Sequence, residues 1–301
     1  METTTSTRAF AAIASSIADA LGIAIQPQPT DRTHGGCINE SYRWEGSSGA
    51  LFVKIAGVER LAMLEAEAAG LRELAAADAV RVPRVLSVGA AAEHAYLALE
   101  WIELGHSSPA AAGRLGNQLA RQHGICAAQF GWHRDNTIGS TPQINAWTPD
   151  WPEFFRERRL GFQLELARAN GHGGRLQQRG MRLLAHIQEF FATHRAEPSL
   201  LHGDLWGGNW GVDANGIPVL FDPAVYFGDR EADIAMTRLF GGFGADFHSA
   251  YAALWPLDAG AAVRADLYNL YHVLNHLNLF GGGYLRQAES MIDSLLGELG
   301  H

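Results

Sequence analysis

An aspartate and an asparagine five residues apart are the strongest chemical signal in the sequence. Asp204 and Asn209 lie in the segment LHGDLWGGN, residues 201–209, and His202 stands two positions before the aspartate. This spacing, H-x-D-x-x-x-x-N, is typical of a kinase catalytic loop, where the aspartate meets the attacking hydroxyl group and the asparagine holds a metal ion on the phosphates. A glycine-rich turn after a strand would look similar. The spacing indicates phosphoryl transfer, with Asp204 as the catalytic base.

A second carboxylate follows at a suitable distance. The apolar run PVLF at 218–221 ends on Asp222, and the turn at 213–216 makes the two flanking β segments a hairpin. The hairpin returns Asp222 to the neighbourhood of Asn209. Carboxylate and amide oxygens suit magnesium, so Asn209 and Asp222 are predicted metal ligands. An Asp-Pro pair alone would be an ordinary turn.

One lysine stands out among the basic residues. Of 23 lysines and arginines, only Lys54 is a lysine, and it lies in the apolar strand FVKI. A buried ammonium needs an anion, which in kinases is supplied by the α- and β-phosphates of the nucleotide and by a glutamate of the next helix. Glu67 is the preferred partner and Glu65 the alternative. A strand lysine that extends to solvent is the competing interpretation.

A glycine-rich segment, HGGCIN at residues 34–39, precedes the strand of Lys54. Backbone N–H groups at Gly35 and Gly36 are predicted to cover the phosphates, although Gly-Gly turns are common in hairpins. Cys37 lies in the same segment, where the N–H groups and Lys54 would favour its thiolate and make it redox-sensitive. A small residue that fills a turn is an equal alternative for Cys37.

Three weaker predictions concern other positions. Backbone groups near Glu100 and Ile102, at the end of a strand, are placed to bond adenine, as any edge strand would be. His272 and His276 are spaced i, i+4 on a helix, but no third ligand accompanies them, so packed or substrate-facing histidines are favoured over zinc. The arginines at 156, 158 and 159 are interpreted as a solvated helix face, with an anion-binding site as the alternative.

The elements that must position these residues change in character along the chain. Residues 26–101 are predicted to be mainly strands with one helix, and a polar connector follows at 104–108. Beyond it helices dominate, with short β pieces at 199–202, 210–212 and 218–221. The predicted helices are 60–76, 110–130, 151–170, 174–195, 231–240, 245–254 and 261–280.

This order predicts an α+β, bilobal, protein-kinase-like fold. Residues 1–103 form a small β-rich N-lobe and residues 104–301 a larger, mainly helical C-lobe that carries the catalytic loop and the metal-binding hairpin. The cleft between two such lobes is the expected ligand site.

Composition limits the other classes of function. The chain has 301 residues and a net charge of −9, which argues against nucleic acid or an anionic membrane as the main partner. It has two cysteines, which suits a reducing compartment and predicts a cytoplasmic protein. The first apolar stretch is interpreted as an amphipathic helix that begins near Ser6 or Thr7 and stops at Gly22, in preference to a signal peptide.

Several segments together resemble one known family. The loop HGDLWGGN at 202–209 is similar to the catalytic loop of the fructosamine (ketosamine) kinases, with Gly207 where many members have serine. The same family is indicated by five further segments, which are FGWHRDNTIGSTPQIN, WPEFFRERRL, DPAVYFG, EADIAM and NHLNLFG. The resemblance runs from about residue 34 to 285. The kinase residues alone would also fit the wider aminoglycoside phosphotransferase and choline kinase group.

The resemblance implies transfer of the γ-phosphate of ATP, with Mg²⁺, to the 3-hydroxyl group of a ketosamine. Ketosamines are rearranged adducts of sugars with free or protein-bound amines, and ribulosamines or erythrulosamines are preferred here over fructosamines. It also implies that Asp233 steadies the backbone of the catalytic loop. Trp206 is expected to form a flat wall for the sugar, with His272 and His276 near its amine. A monomer or a homodimer is expected.

Competing functions remain open at this point. An aminoglycoside, choline or homoserine kinase is the alternative enzyme, and a non-catalytic nucleotide-binding pseudokinase is less favoured because Lys54, Asp204, Asn209 and Asp222 are all present. A protein kinase is disfavoured, since the interval from Asp222 to Glu231 is too short for a peptide-docking activation loop.

Overall fold

The computed structural model describes residues 6–33 and 40–300. The predicted phosphate-covering residues Gly35 and Gly36, and the predicted redox residue Cys37, lie outside the described residues. By contacts between residues, the chain divides into two units. The first comprises the residues up to His106 together with Gly211–Phe221, and the second comprises Ser107–Trp210 and the residues from Asp222 onward.

The first unit is built on an antiparallel sheet. Within the described residues this sheet has five strands, β1 Asp31–Thr33, β2 Glu40–Gly46, β3 Gly49–Gly57, β4 Val85–Ala91 and β5 His94–Glu100. Their order in the sheet is β1-β2-β3-β5-β4. Lys54 lies in the central strand β3, paired with Ser41 of β2 and Leu97 of β5.

Two helices belong to this unit, α1 (Thr7–Leu21) and α2 (Leu61–Ala77). The Ser6 side chain accepts from Ala9 N–H at the start of α1, and Gly22 ends the helix in a left-handed conformation. Ile13 and Ile17 of α1 are fully buried in one cluster with residues of the sheet, among them Trp44, Leu51 and Val53. The predicted limits of this first helix are confirmed.

The hairpin of β9 (Trp210–Val212) and β10 (Pro218–Leu220) groups with the first unit from Gly211 to Phe221. Leu220 N–H donates to Arg81 O at 2.9 Å, and the Arg81 side chain forms ion pairs with Asp213 and Glu100. The predicted domain boundary after residue 103 places this hairpin in the helical lobe. The boundary itself stays a prediction. The structure groups the hairpin with the sheet because these backbone and side-chain bonds attach it there.

The second unit is mainly helical. Its helices are α3 Pro109–His123, α4 Trp151–Phe154, α5 Phe162–Ala169, α6 Arg175–Ala185, α7 Glu231–Leu239, α8 Ala245–Leu254, α9 Ala261–Phe280 and α10 Leu285–Glu298. Helices α3 and α8 approach closely, since a Cβ on Gly116 would lie 2.3 Å from Phe247 O. Its short strands are β6 Asn136–Ile138, β7 Thr141–Gln143, β8 Ser199–Leu201 and β11 Tyr226–Gly228.

Some helices differ from their predicted limits. The predicted helix 110–130 ends at His123, and 174–195 divides into α6 and a 3₁₀ turn, Ile187–Phe191. The predicted helix 151–170 is interrupted by a π-helical stretch, Phe155–Gly161, between α4 and α5. Strands β6, β7 and β11 were not predicted, because three-residue strands have too little alternation to detect. Helix α10 was also missed, although its buried residues Ala288, Ile292 and Leu295 recur at helical spacing.

The predicted class is confirmed: the protein is α+β, with a small antiparallel sheet in its N-terminal part and a helical C-terminal part. None of the described helices combines the length and the apolar character that a membrane span requires.

Candidate active site

The catalytic loop follows β8, which pairs antiparallel with β11. Ala224 N–H donates to His202 O at 2.9 Å, so the loop and the segment after Asp222 are joined directly. Gly203 has a φ of +83°, and a Cβ there would lie 2.1 Å from Ala224 O. Only glycine fits both constraints, and the close approach places Asp204 at the start of the loop.

Asp204 and Asn209 are in direct contact. The Asn209 side-chain nitrogen donates to Asp204 O at 2.8 Å and to Asp204 Oδ2 at 3.1 Å. It also lies 3.5 Å from Asp222 O. Because the amide nitrogen is used in these bonds, the amide oxygen of Asn209 remains as its ligand for a cation. The structure therefore brings the three predicted residues together, while their roles stay predictions.

Asp222 adopts an uncommon backbone conformation. Its φ is +57°, in the left-handed region, although it precedes Pro223, and a residue before proline favours extended geometry. Such a conformation costs on the order of 1–3 kcal/mol and persists only where the surroundings enforce it. Strain of this kind clusters at functional sites, which supports a specific task for this carboxylate.

The electrostatics of the three residues suit a cation. Burial and the nearby Asp222 carboxylate together raise the pKa of Asp204 to about 7, against the opposing effect of the Asn209 hydrogen bond. The Asp222 carboxylate and the Asn209 amide oxygen form an all-oxygen donor pair, which is the kind that Mg²⁺ prefers. The residues present therefore fit a magnesium ion.

Asp233 of α7 holds the backbone of the catalytic loop. Its carboxylate accepts from His202 N–H at 2.7 Å and from Gly203 N–H at 2.9 Å. Although burial alone would raise the pKa of Asp233, the hydrogen bond and charge of His123 lower it. His123 joins this carboxylate to the Tyr251 hydroxyl, with distances of 3.1 and 2.8 Å. The sequence provided no signal for His123, a buried histidine at the end of α3.

Lys54 forms an ion pair with Glu67 in the first unit, with Nζ 2.7 Å from Glu67 Oε1. Lys54 is only 5% exposed, so the alternative of a lysine extended to solvent is wrong. Glu65 is exposed, on another face of α2. Because Lys54 is fixed by the central strand and Glu67 by a helix, the pair is held by regular structure. Its role in nucleotide binding stays a prediction.

The predicted adenine-binding residues end the sheet. Glu100 N–H donates to Arg84 O at 2.9 Å, and its side chain accepts from Arg81 at 2.8 Å. The N–H of Glu100 is thus already used. Among the described residues no backbone hydrogen bond involves Ile102. The backbone of Ile102 therefore fits the predicted contact with adenine better than the backbone N–H of Glu100 does.

The three predicted substrate residues differ in exposure. Trp206 is 40% exposed, and its ring covers Gly208, where a Cβ would lie 2.2 Å from the indole. His276 is half-buried and shares a 2.8 Å hydrogen bond with His272 O. His272 is 5% exposed, and burial lowers its pKa to about 3, with a further contribution from His276. Trp206 and His276 are accessible to a ligand, whereas His272 is enclosed.

Five buried polar side chains, which we call the polar brace, lie behind the segment after Asp222. Asn136 donates to Val225 O at 2.8 Å, and Gln143 donates to Ala224 O at 3.1 Å. The Tyr271 hydroxyl donates to Gln143 Oε1 at 2.9 Å. The brace thus bonds the backbone that continues from Asp222. Its members are Asn136, Gln143, Asn145, Arg159 and Tyr271.

Arg159 completes the brace, and its prediction as part of a solvated helix face is wrong. It is fully buried, donates to Ile144 O and Asn145 Oδ1 at 2.7 Å each, and lies over the Tyr226 ring at 4.1 Å. The prediction assumed regular α-helical periodicity. Arg159 lies in the π-helical stretch, where the i→i+5 pattern changes which side chains point inward.

A second cluster of charged residues, in the same unit, has a structural explanation. Among the described residues, His194, Glu231 and Asp258 offer ligand atoms that lie within 4.8 Å of one another. Arg264, however, donates to both Oε atoms of Glu231, at 2.7 and 3.0 Å, and also pairs with Asp258. Arg264 pairs with both carboxylates, and His194 adds an ion pair with Asp258, so the cluster is a partly buried ion network.

A comparison with solved structures identifies the fold. The crystal structure of an aminoglycoside phosphotransferase, APH(4)-Ia, superposes with a TM-score of 0.64 at 13% identity, covering 95% of this chain and 98% of the other. At this identity the likeness concerns the fold alone, which is that of the kinase-like phosphotransferases. The predicted kinase-like fold is therefore confirmed.

The sequence specifies the family: it matches the fructosamine kinase family over residues 9–298, and the chain belongs to that family. A probable ketoamine kinase of Synechocystis is 44% identical over 94% of this chain and 96% of its own length. A chloroplastic protein-ribulosamine 3-kinase of Arabidopsis thaliana is 43% identical over 91% of this chain and 85% of its own. A candidate fructosamine-3-kinase from Thermobifida fusca has a TM-score of 0.83 at 31% identity, covering 94% and 98% of the two chains.

The predicted family is thus confirmed, and so is the predicted enzyme class, a phosphotransferase that acts on a hydroxyl group. The pseudokinase alternative loses its support.

Proposed function

We propose that this enzyme transfers the γ-phosphate of ATP to the 3-hydroxyl group of ketosamines, on free amines or on protein lysines, as a repair step that reverses glycation. The observation that carries the proposal is the contact between Asp204 and Asn209 beside Asp222, in a chain that belongs to the fructosamine kinases.

Each residue has a distinct task in this proposal. Asp204 accepts the proton of the acceptor hydroxyl, and its burial, which raises the pKa of the carboxyl group, favours this role. Asn209 and Asp222 hold Mg²⁺, which when bound neutralises charge on the transferred phosphate. Lys54, oriented by Glu67, binds the α- and β-phosphates. His202 and Asp233 keep the loop backbone in place.

We assign recognition of the acceptor to the exposed side chains near the catalytic loop. Trp206 presents a half-exposed indole two residues after the base, which suits the face of a short sugar chain. We favour ribulosamines and erythrulosamines over fructosamines. A relative named protein-ribulosamine 3-kinase supports this order. We further propose a cytoplasmic enzyme that acts as a monomer or homodimer, with neither nucleic acid nor membrane as a partner; the net charge of −9 supports the last point.

A panel of acceptors tests the function. Initial rates of ADP formation are measured with ribulose-, erythrulose- and fructose-amines, choline and an aminoglycoside, and the position of the phosphate is determined by NMR. We expect transfer to the 3-hydroxyl of the ketosamines, with the highest kcat/KM for the shorter sugars. Efficient transfer to choline or an aminoglycoside, with none to any ketosamine, would refute the substrate class and leave the kinase class intact.

A further inference from the structure

His123, the last residue of α3, is a fully buried histidine with both ring nitrogens in use. Its Nε2 atom lies 3.1 Å from Asp233 Oδ2 on α7, and its Nδ1 atom lies 2.8 Å from the Tyr251 hydroxyl on α8. One side chain therefore joins three helices at a point that solvent does not reach.

The proton on His123 can be located from the state of its partner Asp233. Although burial raises the pKa of Asp233, opposing contributions, of which the His123 hydrogen bond is the largest, lower the pKa overall. The carboxyl group is therefore ionised at neutral pH. An ionised carboxylate only accepts hydrogen bonds, so His123 Nε2 carries a proton and donates it to Asp233.

The Tyr251 hydroxyl completes a chain of bonds that run in one direction. Arg230 Nη1 donates to the Tyr251 oxygen at 3.0 Å, and a guanidinium group accepts no hydrogen bond. Among the described residues the other partner of this hydroxyl is His123 Nδ1, so the hydroxyl hydrogen points to Nδ1. We call Arg230, Tyr251, His123 and Asp233, in the order of donation, the histidine chain.

The outer end of the histidine chain is fixed by backbone groups. Arg230 Nη1 also donates to Trp255 O at 3.1 Å, and its Nη2 donates to Pro256 O at 2.8 Å. The guanidinium carbon lies 4.2 Å from the centre of the Trp255 ring, within the range of a cation–π contact. Because Arg230 is held in place, it orients the Tyr251 hydroxyl, and the hydroxyl determines which nitrogen of His123 carries the proton.

The inner end of the histidine chain meets the catalytic loop. Asp233 Oδ2 accepts from His123 at 3.1 Å and from His202 N–H at 2.7 Å, while Oδ1 accepts from Gly203 N–H at 2.9 Å. Asp204 is the next residue in the sequence. The bond from His123 adds a third donor, from a separate helix, and so fixes the plane of the carboxylate against the loop.

Stability alone does not account for a buried polar chain of this kind. Replacing a buried ionic network by well-packed apolar side chains is often neutral or stabilising, so apolar residues would join the same helices without loss. The histidine chain instead ends on the two backbone N–H groups that immediately precede Asp204. This placement indicates that its polar groups serve the geometry of the catalytic loop.

We propose that His123 is a positioning residue for phosphoryl transfer, whose Nε2–H orients the Asp233 carboxylate and thereby keeps Asp204 in the geometry that the reaction requires. Tyr251 and Arg230 act through His123, since they keep its proton on Nε2. This role rests on the proposed function of Asp204 as the base, and it is independent of which compound accepts the phosphate.

The first experiment replaces His123 by two amides that differ in reach. The side-chain nitrogen of glutamine is as many bonds from Cα as Nε2 of histidine, whereas that of asparagine corresponds to Nδ1. We expect His123→Asn to lower kcat about tenfold or more, with the affinity for ADP within about twofold of wild type, and His123→Gln to keep kcat within about threefold. Initial rates with a ribulosamine of Nα-blocked lysine and calorimetric titration of ADP measure these effects.

Thr237→Val is the matched control. Thr237 is a fully buried residue of α7 whose hydroxyl donates to Ile234 O of the same helix at 2.6 Å, outside the histidine chain. This variant should lose stability in urea unfolding without a change in kcat. An unchanged kcat in His123→Asn, or an equal loss of kcat in His123→Asn and His123→Gln, would overturn the positioning role.

A second measurement needs neither an acceptor nor turnover, and so separates this role from the proposed function. Tyr251→Phe keeps the ring and removes the hydroxyl that donates to His123 Nδ1. Hydrogen–deuterium exchange, followed by mass spectrometry, is compared among the wild type, Tyr251→Phe and His123→Asn. We expect the His202 and Gly203 amides to exchange about threefold faster in Tyr251→Phe and about tenfold faster in His123→Asn.

The location of the faster exchange decides the outcome. Acceleration confined to peptides that contain the His202 and Gly203 amides, and missing from Thr237→Val, supports the positioning role even for a chain that phosphorylates no ketosamine. Exchange that is unchanged at these amides, or that rises equally throughout the second unit, refutes the role while transfer to ketosamines stands.

Discussion

The surroundings of Lys54 and of Asp222 are stabilised in opposite ways. Lys54 lies in the middle of the central strand, and Glu67 meets it from the adjacent helix, so two regular elements position one ion pair. Asp222 lies outside any strand, in a strained conformation, and the backbone after it is bonded by the catalytic loop and by the polar brace. Regular secondary structure is sufficient to position Lys54, whereas the position of Asp222 depends on a network of tertiary contacts.

The largest expected effect is at the base itself. Asp204→Asn should lower kcat by about 10²–10⁴-fold, because the amide cannot accept the proton, while the affinity for ADP stays near that of the wild type. Calorimetric titration of ADP, together with initial rates, measures both. If the affinity for ADP falls in parallel with kcat, Asp204 takes part in nucleotide binding. Catalysis and nucleotide binding would then not be divided between the two regions.

Lys54→Arg tests the region built on regular structure. A planar guanidinium does not fit the volume of an ammonium between a glutamate and phosphates, so we expect kcat/KM for ATP to fall by about tenfold or more. Glu67→Gln should act in the same direction. Glu65→Gln, at the exposed neighbour, should leave kcat/KM for ATP unchanged. Wild-type kinetics in Lys54→Arg would contradict the role of this pair.

Tyr271→Phe tests the region held by the network. Loss of the hydroxyl that donates to Gln143 should cost about 1 kcal/mol of unfolding free energy and raise the Mg²⁺ concentration for half-maximal rate about threefold to fivefold, because the segment after Asp222 is less well held. Urea unfolding and a magnesium titration measure the two effects.

Tyr268→Phe is the matched control. The Tyr268 hydroxyl is also buried and donates to Asp229, outside the polar brace. This variant should lose at least as much stability without a change in the Mg²⁺ requirement. If both variants raise the Mg²⁺ concentration for half-maximal rate by the same factor, the cause is a general loss of stability and not the loss of a bond in the polar brace.

The smallest effect is expected at His194, in the partly buried ion network apart from both regions. Burial opposes protonation, but hydrogen bonds and charge from Asp229 and Asp258 raise the pKa of His194. A raised pKa in the folded state stabilises the protein below about pH 6.5, and this contribution disappears as pH rises through the raised value. His194→Asn should therefore destabilise more at pH 6 than at pH 9, as measured by urea unfolding, with an unchanged Mg²⁺ requirement. An equal loss at both pH values would show that the ion pairs of His194 contribute nothing.

The local elements of this architecture could be predicted from the sequence. The first helix, the strands around Lys54, the β9–β10 hairpin and the spacing of Asp204, Asn209 and Asp222 are encoded by periodicity, turn residues and a motif, all of which act over short stretches of chain. The preference for Glu67 over Glu65 also followed from helical spacing, and the 2.7 Å contact with Lys54 agrees with it.

Only the tertiary structure decided which side chains meet across long stretches of sequence. Asn136 and Gln143 reach the backbone after Asp222 from 89 and 81 positions away in the chain, Arg159 lies over the Tyr226 ring, and Tyr271 reaches Gln143 across 128 positions. His123 meets Asp233 across 110 positions, and Phe240 meets His276 through packing of separate helices. No local pattern records such contacts, because burial and packing of the whole unit determine them.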